Sequence, residues 1–460
     1  MKRAILLAFV STAAVASGNY TQDARDIAAA ALCGATNVTC QTGYKTGATS
    51  TAASRRVETT YRAIRAAEVP PPPPPAPPAP PPVPAPTPAP VPPPIDPAIP
   101  TTGLPMVSDG LDVNAFLQPS WGTGAIPASA APDVVGAFRL ICQAGMSNAR
   151  LAEMIKYDDP IVYPGQPGKS HLHQFFGNTG ANANSDYVSL RTTGESSCSN
   201  IMNRSAYWMP AMMDGRGFVV PPDYVTIYYK RRPKTDPECT KAGKACVDLP
   251  RGLRFVFGYD MLNMAGARTG GGYFNCQGTG AVQGHYPSIV DAAKNCPSGA
   301  QLGAVISAPE CWNGVDLDSP DHRSHVGYMK RDVASGQMRC PSTHPYIIAT
   351  FTMGAWYTTD DTLDRSGTWD GTLNSWHLSS DRPDAMPGMT MAAMKPGTSF
   401  HADWWGAWND SILFRWHAGC INKLLNCSGA DLGDGKQLKQ AYADNWVKRP
   451  RVPVPPKPPV

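Results

Sequence analysis

Short apolar runs that favour β structure recur between residues 137 and 447. Gly, Pro, Asn or Asp residues bound these runs, which occupy residues 138–142, 224–229, 253–257, 346–351 and 411–416. Short runs bounded in this way are typical of antiparallel strands. The pattern predicts one mainly β domain over residues 137–447, either an antiparallel β-sandwich or a jelly-roll-like pair of sheets, with long loops and a few short helices.

Helical periodicity is confined to two places. Residues 429–446 carry the stronger pattern, and residues 147–156 carry a weaker one that begins at Ser147. A serine hydroxyl at this position accepts a hydrogen bond from an unpaired amide of the first helical turn, so Ser147 is the predicted N-cap. We therefore expect one short helix early in the domain and a longer one at its end.

The composition changes outside this domain. Residues 1–18 have a basic start, a short apolar run and small residues, which is typical of a secretory signal peptide; an uncleaved anchor is the alternative. Residues 19–68 form a small segment rich in Ala, Thr and Arg, residues 69–100 form a proline-rich linker, and residues 450–460 form a proline-rich tail that we expect to be disordered. No later apolar run reaches the roughly 18 to 20 residues of a transmembrane helix, so we expect a mature chain without a transmembrane segment that is secreted, periplasmic or at the cell surface.

Charge and cysteine content narrow the functional class and the compartment of the protein further. The 40 Lys and Arg residues nearly balance the 36 Asp and Glu residues, and this balance argues against a nucleic-acid partner. The 12 cysteines behind an export signal predict disulfide bonds that pin the loops. Three pairs, each seven residues apart, can close small loops, and the other six cysteines would pair among themselves; the three pairs are Cys33 and Cys40, Cys239 and Cys246, and Cys420 and Cys427.

Histidines are the main candidates for chemistry. Six of the nine lie in four short polar motifs, with aspartates beside them. Imidazoles and carboxylates together can transfer protons near neutral pH or bind a divalent metal such as zinc or copper. The candidate catalytic residues are His171, His173, Asp318, Asp321, His322, His325, His344, His401 and Asp403, and the candidate metal ligands are His171, His173, His322 and His325. For an isolated pair such as His171 and His173, a structural role is the alternative.

Aromatic residues near these motifs are candidates for substrate binding. Flat indole rings stack on the apolar face of a sugar, and polar neighbours bind its hydroxyls. The candidate substrate-binding residues are Tyr207, Trp208, Arg323, Trp404 and Trp405. Packing in the core is the alternative for the tryptophans. On a strand, alternation would place Trp404 with Ala402 and Trp405 with Asp403.

Seven motifs occur in an order that resembles one family. They include Asp159-Pro160, His171-Leu172-His173, Ser205-Ala206-Tyr207-Trp208, Cys311-Trp312, Asp321-His322, Cys340-Pro341 and His401-Ala402-Asp403. Together they resemble the domain of unknown function family DUF1996, which is found in secreted fungal and bacterial proteins. Fungal members are often fused to WSC modules, so the resemblance implies a role at a cell wall or on extracellular polysaccharide, without an established reaction. This chain has a proline-rich linker where a glycan-binding module would stand.

Two functions follow from these observations. The first is a secreted enzyme that cleaves glycosidic bonds of polysaccharide, by hydrolysis with two carboxylates such as Asp321 and Asp403, or by β-elimination with His and Tyr207 or Tyr328. The second is a non-catalytic glycan-binding or wall-associated module. A divalent metal ion is compatible with either function. Both the enzyme and the metal site require the histidine motifs to meet in one pocket.

Overall fold

The computed structural model describes residues 103–122, 135–143, 146–241, 243–263, 271–333, 336–385, 387–388, 391–441 and 448–459. The predicted signal peptide, N-terminal segment and proline-rich linker lie outside these residues, as do Cys33 and Cys40.

Strands dominate the described residues, and the helices among them are short. The strands are β1 (Leu117–Pro119), β2 (Gly136–Cys142), β3 (Ile155–Lys156), β4 (His173–Gly177), β5 (Ala206–Pro210), β6 (Met212–Met213), β7 (Phe218–Val219), β8 (Tyr224–Arg231), β9 (Ala245–Cys246), β10 (Arg254–Gly258), β11 (Tyr273–Gln277), β12 (Gln301–Ser307), β13 (Cys311–Trp312), β14 (Val326–Gly327), β15 (Lys330–Arg331), β16 (Met338–Arg339), β17 (Tyr346–Ile347), β18 (Thr350–Thr358), β19 (His377–Leu378), β20 (His401–Trp405), β21 (Asn426–Cys427), β22 (Lys436–Leu438) and β23 (Val452–Pro453). The α-helices are α1 (Asn148–Glu153), α2 (Tyr187–Thr192), α3 (Pro237–Thr240), α4 (Ile289–Ala293) and α5 (Asp410–Trp416).

Two larger sheets share one hydrophobic core. The first has the strand order β11-β12-β18-β8-β2-β21, and the second has the order β10-β20-β5-β4-β3. Phe351 of β18 contacts Tyr207, Phe257 and Trp404 of the second sheet at ring-centroid distances of 5.6, 5.7 and 5.5 Å. The prediction of a mainly β domain with antiparallel sheets and a few short helices is confirmed.

Disulfide bonds hold the loops, as the sequence predicts. The bridges are Cys142–Cys198, Cys239–Cys246, Cys276–Cys296, Cys311–Cys340 and Cys420–Cys427, and none of the described cysteines is free. Two of the three predicted seven-residue loops are therefore confirmed. Five bridges indicate that the chain folds in an oxidising compartment. In the part of the chain that the structure describes, no helix combines the length and apolar character needed to cross a bilayer.

One helix prediction is confirmed, and two other local predictions are wrong. Helix α1 begins after Ser147, whose hydroxyl accepts the Arg150 amide as predicted. Residues 411–416 were expected to form a strand but belong to α5, because the Asn409 side chain caps two amides and Ile412 and Trp416 bury one helical face. The helix expected at 429–446 is replaced, in its described part, by turns and β22, because glycines at 429, 433 and 435 adopt positive φ.

The C-terminal tail also differs from the disordered segment that its composition predicts. Strand β23 pairs with β7, and the Val454 amide donates to the Gly217 carbonyl at 3.0 Å. The buried Arg449 guanidinium donates to the carbonyls of Met146 and Gln143 at 2.9 and 2.7 Å. Prolines are tolerated at a sheet edge, where an amide is not required, so arginine anchors and edge pairing can order a proline-rich segment.

Loss of the Arg451 side chain should weaken this attachment. Arg451 pairs with the buried Asp214 at 2.9 Å and with Asp360 at 2.8 Å. Arg451→Ala leaves Asp214 without its cation and should lower the free energy of unfolding in urea by about 1–3 kcal/mol. Arg415→Ala is the control, because Arg415 pairs with the more exposed Asp434 and should contribute under about 1 kcal/mol. Equal effects of the two substitutions would contradict the proposed anchor.

Candidate functional site

Polar side chains gather on the outer face of the second sheet. Alternate residues of its strands point away from the shared core: Phe175, Trp208, Val256 and Trp405 pack in a separate cluster outside it. Asp403 pairs with Trp208 across β20 and β5, and His401 lies two residues before it. The predicted separation of Trp404 and Trp405 onto opposite faces is therefore confirmed. Alternation places His401 and Asp403 on the outer face.

One strand end and two loops bring further ligand groups to this face. His173 is the first residue of β4, and His171 precedes it in a buried loop. Asp159 lies in an earlier turn, where its Oδ1 accepts hydrogen bonds from the amides of Ile161 and Val162 at 2.9 and 2.8 Å. The turn therefore fixes the Asp159 carboxylate against the sheet.

Five of these side chains form one compact cluster. Ligand atoms of His171, His173 and His401 lie within 4.8 Å of one another, and so do those of Asp159, His173 and Asp403. All five residues are buried. Because His173 belongs to both sets, we treat them as one site and call it the His/Asp cluster. Among the described residues, these two overlapping sets are the places where three or more metal-binding side chains meet.

Backbone carbonyls orient two of the imidazoles. His173 Nδ1 donates to the Asp158 carbonyl at 2.9 Å, and His401 Nδ1 donates to the Ser399 carbonyl at 2.7 Å. Each ring therefore keeps a lone pair on Nε2. The Nε2 atoms of His171 and His173 are buried and have no hydrogen-bond partner among the described residues. Metal-binding histidines commonly show this arrangement, with one nitrogen held by a carbonyl and the other directed to the ion.

Burial keeps the three imidazoles neutral. Desolvation lowers the pKa of His171 and His173, and it lowers the pKa of His401 to about 3. A positive charge on one ring would also disfavour protonation of the next, because the ring centroids of His171 and His173 are 4.2 Å apart. The neutral imidazole is the form that binds metal ions.

The carboxylates of the cluster are in an unfavourable environment. Both oxygens of Asp403 are buried and lack a hydrogen-bond partner within the described residues. Burial and the nearby Asp159 raise the pKa of Asp403 well above its usual range, and burial also raises the pKa of Asp159. An unpaired buried carboxylate is strongly destabilising unless it is protonated or binds a cation. This pair therefore favours a cation between the carboxylates and the imidazoles.

A small cavity adjoins the cluster. It has a volume of about 30 Å³, and Tyr163, Met261, Leu262 and Arg323 line it together with cluster residues. The Arg323 guanidinium donates to the carbonyls of Gly258 and Tyr259 at 3.2 and 2.9 Å, which fixes its position. A cavity of this size can hold a water molecule beside the cluster.

Comparison with known proteins identifies the domain that holds this site. A family model described as Domain of unknown function (DUF1996) matches residues 159–408. The chain belongs to the DUF1996 family. The match begins at Asp159 and contains all five residues of the His/Asp cluster. The resemblance drawn from the sequence motifs is thus confirmed. No curated protein and no solved structure matches the chain significantly.

The DUF1996 domain does not bring all six predicted histidines together. His322 Nδ1 lies 2.9 Å from Asp318 Oδ1, and the ring nitrogens of His325 contact Ser319 Oγ and the Arg254 carbonyl at 2.8 and 2.9 Å. His344 Nε2 donates to the Ser324 carbonyl at 2.8 Å. These contacts organise the loop that carries Arg323. The expected convergence of all six histidines does not occur, and neither His322 nor His325 belongs to the metal-binding groups.

Asp321 lines the cavity but has mainly loop partners. Its Oδ1 accepts hydrogen bonds from Ser319 Oγ at 2.7 Å, from the Ser324 amide at 2.9 Å and from Ser324 Oγ at 2.8 Å. These donors hold its pKa well below the usual range. A carboxylate with this pattern stabilises a turn, which is the structural alternative that the sequence leaves open for this loop.

The candidate aromatic platform is inside the DUF1996 domain. Tyr207, Trp208 and Trp404 are at most 1% exposed, and Trp405 is 6% exposed. Tyr207 hydrogen-bonds to Tyr229 at 2.5 Å in the core. These rings cannot stack on a sugar because no ligand reaches their faces. The expectation that they bind substrate is therefore corrected: core packing, the alternative, accounts for them.

Sequence reasoning misses one member of the cluster. Asp159 belongs to the first family motif and to a loop that offers two carboxylates, but it is absent from the candidate catalytic and metal-binding residues because its partners are distant in sequence and only the sheet register reveals them. The available signal is the Asp158-Asp159-Pro160 turn shortly before the His171 motif. Proline restricts the residue before it to an extended conformation, which fixes the backbone at Asp159.

A buried histidine outside the cluster provides a test of the electrostatics. His417 donates from Nδ1 to the Leu413 carbonyl at 2.8 Å and stacks on Trp416, and burial lowers its pKa to about 4. The unfolded pKa is near 6.5, so this residue's contribution to stability is complete above pH 6.5 and is lost as the pH falls towards 4. Between pH 7 and pH 5 the loss should be about 1–2 kcal/mol.

His417→Gln removes this titration and should flatten the pH dependence by that amount. Urea unfolding of both proteins at pH 7 and pH 5, in the presence of a chelator, measures the difference. The pH slopes are compared rather than the absolute stabilities, because the substitution also changes packing. Equal slopes for the two proteins would contradict the assignment.

Proposed function

We propose that the protein is a secreted, metal-dependent enzyme that cleaves glycosidic bonds in extracellular or cell-wall polysaccharide. One divalent cation is held by the His/Asp cluster. The observation that carries this proposal is the convergence of three neutral imidazoles and the unpartnered Asp403 carboxylate in one buried site. Buried groups of this kind are stable together when a cation binds them.

The chemistry of the cluster supports a transition metal rather than calcium. Three imidazole nitrogens and two carboxylates suit zinc, manganese or iron, whereas calcium prefers oxygen ligands alone. Two ionised carboxylates balance the double positive charge. The carbonyls of Asp158 and Ser399 fix the rings of His173 and His401 before the ion arrives, so little reorganisation is required.

The side chains around the cavity support catalysis. A bound divalent cation polarises an oxygen of the substrate or lowers the pKa of water. Tyr163 lines the same cavity, and its phenol, whose pKa is raised by burial, can donate a hydrogen bond to a substrate oxygen. Arg323, which lines the same cavity, offers a fixed positive charge for negative charge that develops in the transition state.

The choice of polysaccharide depends on family resemblance and on the oxidising compartment. Five disulfides support a secreted, periplasmic or cell-surface protein, where cell-wall polymers are the abundant substrates. Since the tryptophans near the site are buried, polar contacts would have to recognise the sugar. The proposal therefore retains polysaccharide as the substrate, but it assigns recognition of the sugar to polar side chains instead of an aromatic platform.

A glycan-binding or wall-associated module with a structural metal is the second candidate. The specific observation in its favour is that all five cluster residues are buried, since structural metal sites are closed by their protein ligands. The cavity beside the cluster favours the enzyme, because catalytic sites keep room for water or substrate.

Metal content tests the site directly. The purified protein, loaded with zinc or manganese and then desalted, should contain one equivalent of metal by mass spectrometry. His173→Ala removes the residue shared by both ligand sets and should reduce the bound metal at least tenfold. His417→Ala is the matched control, a buried histidine outside the cluster, and should retain full metal content. Equal loading of both variants, or none in the parent protein, would contradict the proposal.

Turnover separates the two candidate functions. Release of reducing ends or of unsaturated products from a panel of wall polysaccharides should fall at least 100-fold in His173→Ala. A chelator should also abolish release by the parent protein, and restoring the metal should recover it. Polysaccharide binding without turnover, unchanged in His173→Ala, would favour the non-catalytic module.

A further inference from the structure

A second cavity lies on the other side of His171. Its volume is about 270 Å³, and it lies between the loop before β4 and the C-terminal tail. Its polar wall includes Tyr157, His171, His377, Arg382, Asp384 and Lys457. We call it the tail pocket. Since His171 lines this pocket as well as the small cavity of the cluster, the two spaces share one imidazole as a wall.

A buried histidine gives the tail pocket a hydrogen-bond acceptor. His377 is 2% exposed, and its Nδ1 donates to the Ser375 carbonyl at 2.8 Å. Its Nε2 is buried and has no hydrogen-bond partner among the described residues. A buried lone pair without a donor is destabilising. A ligand hydroxyl in the pocket would supply that donor.

Charged groups give the same pocket a site for an anion. Arg382 forms two hydrogen bonds with Asp384, at 2.9 and 3.2 Å, and Lys457 lies over the Tyr157 ring at 5.5 Å. Two cations therefore face one carboxylate, so the lining carries one net positive charge. Asp384 is 70% exposed at its side chain, so it can move aside for a ligand carboxylate that binds the Arg382 fork.

The size of the pocket restricts the ligand to a small molecule or a single sugar ring. Pockets for small ligands begin at about 300 Å³, and 270 Å³ is near this limit. A ring that carries both hydroxyls and a carboxylate matches the two kinds of polar wall. Uronic acids are single-ring sugars with this combination.

We infer that the tail pocket binds a uronic-acid residue of an acidic polysaccharide, with its carboxylate on Arg382 and Lys457 and a hydroxyl on His377. The inference rests on the proposed function, since it names the class of substrate on which the proposed enzyme acts. The shared wall at His171 places the bound ring next to the His/Asp cluster. The tail contributes Lys457, so the ordered segment that follows β23 is part of the binding site.

Binding of two simple sugars tests the inference. D-glucuronic acid and D-glucose are titrated into the full-length protein at pH 7 and followed by calorimetry or ligand-observed NMR, with and without bound metal. Glucuronic acid should bind at least tenfold more tightly than glucose. Arg382→Gln and Lys457→Gln should each reduce that preference at least threefold, and the double variant should abolish it.

Arg415→Gln is the matched control. Arg415 also pairs with a partly exposed aspartate, Asp434, at 2.7 Å, and its substitution should leave glucuronic acid binding unchanged. Circular dichroism establishes that each variant is folded. Equal binding of the two sugars, or an equal loss in Arg415→Gln and Arg382→Gln, would overturn the inference.

The same titration separates this inference from the metal site. Glucuronic acid binding that depends on Arg382 and Lys457 in a protein without metal would support the tail pocket while the metal proposal fails. Full metal loading with no preference for glucuronic acid over glucose would overturn the tail pocket and leave the metal proposal standing.

Discussion

Negative charge buried beside neutral imidazoles is the constraint on which the site depends. Asp403 has two buried oxygens without a protein partner, and Asp159 lies close enough to raise the pKa of its carboxyl group. Protonation can relieve the strain of one carboxylate, but a divalent cation would relieve both and would also bind the Nε2 lone pair of His173. The cluster is therefore best understood as a set of groups that stabilise one another through an ion.

The sheet makes this arrangement rigid. Strands β4, β5 and β20 are buried, and their inner residues pack into the core shared with the other large sheet. The hydrogen-bonded strands fix the distances between their outer residues, so His173, His401 and Asp403 cannot move apart without disrupting the sheet. Sites built on strands hold ligand geometry more accurately than sites on loops. The same alternation buries Trp404 on the inner face and Trp405 on the outer face.

Much of the fold follows from the sequence, because short apolar runs, cysteine spacing and the family motifs are local signals. The wrong predictions fall on segments whose conformation is set by contacts with residues that are distant in sequence. Residues 411–416 have a strand-like composition, yet the Asn409 cap and the packing of Trp416 make them helical. The site was predictable to the level of His171, His173, His401 and Asp403. The inclusion of Asp159 in the cluster and the separation of His322 from it were not predictable, since both depend on how strands from distant parts of the chain align.

The tail illustrates the same limit, because a proline-rich composition predicts disorder while Arg449 and Arg451 attach the segment to the domain.

The central claim is that one metal ion occupies the His/Asp cluster. Anomalous X-ray scattering from crystals of the metal-loaded protein, measured on both sides of the metal absorption edge, tests it most directly. The account predicts one strong peak within the His/Asp cluster, from an ion that is coordinated by Nε2 of His173 and by other imidazoles and carboxylates of the cluster. A peak at any other position, or no peak in fully loaded protein, would contradict it.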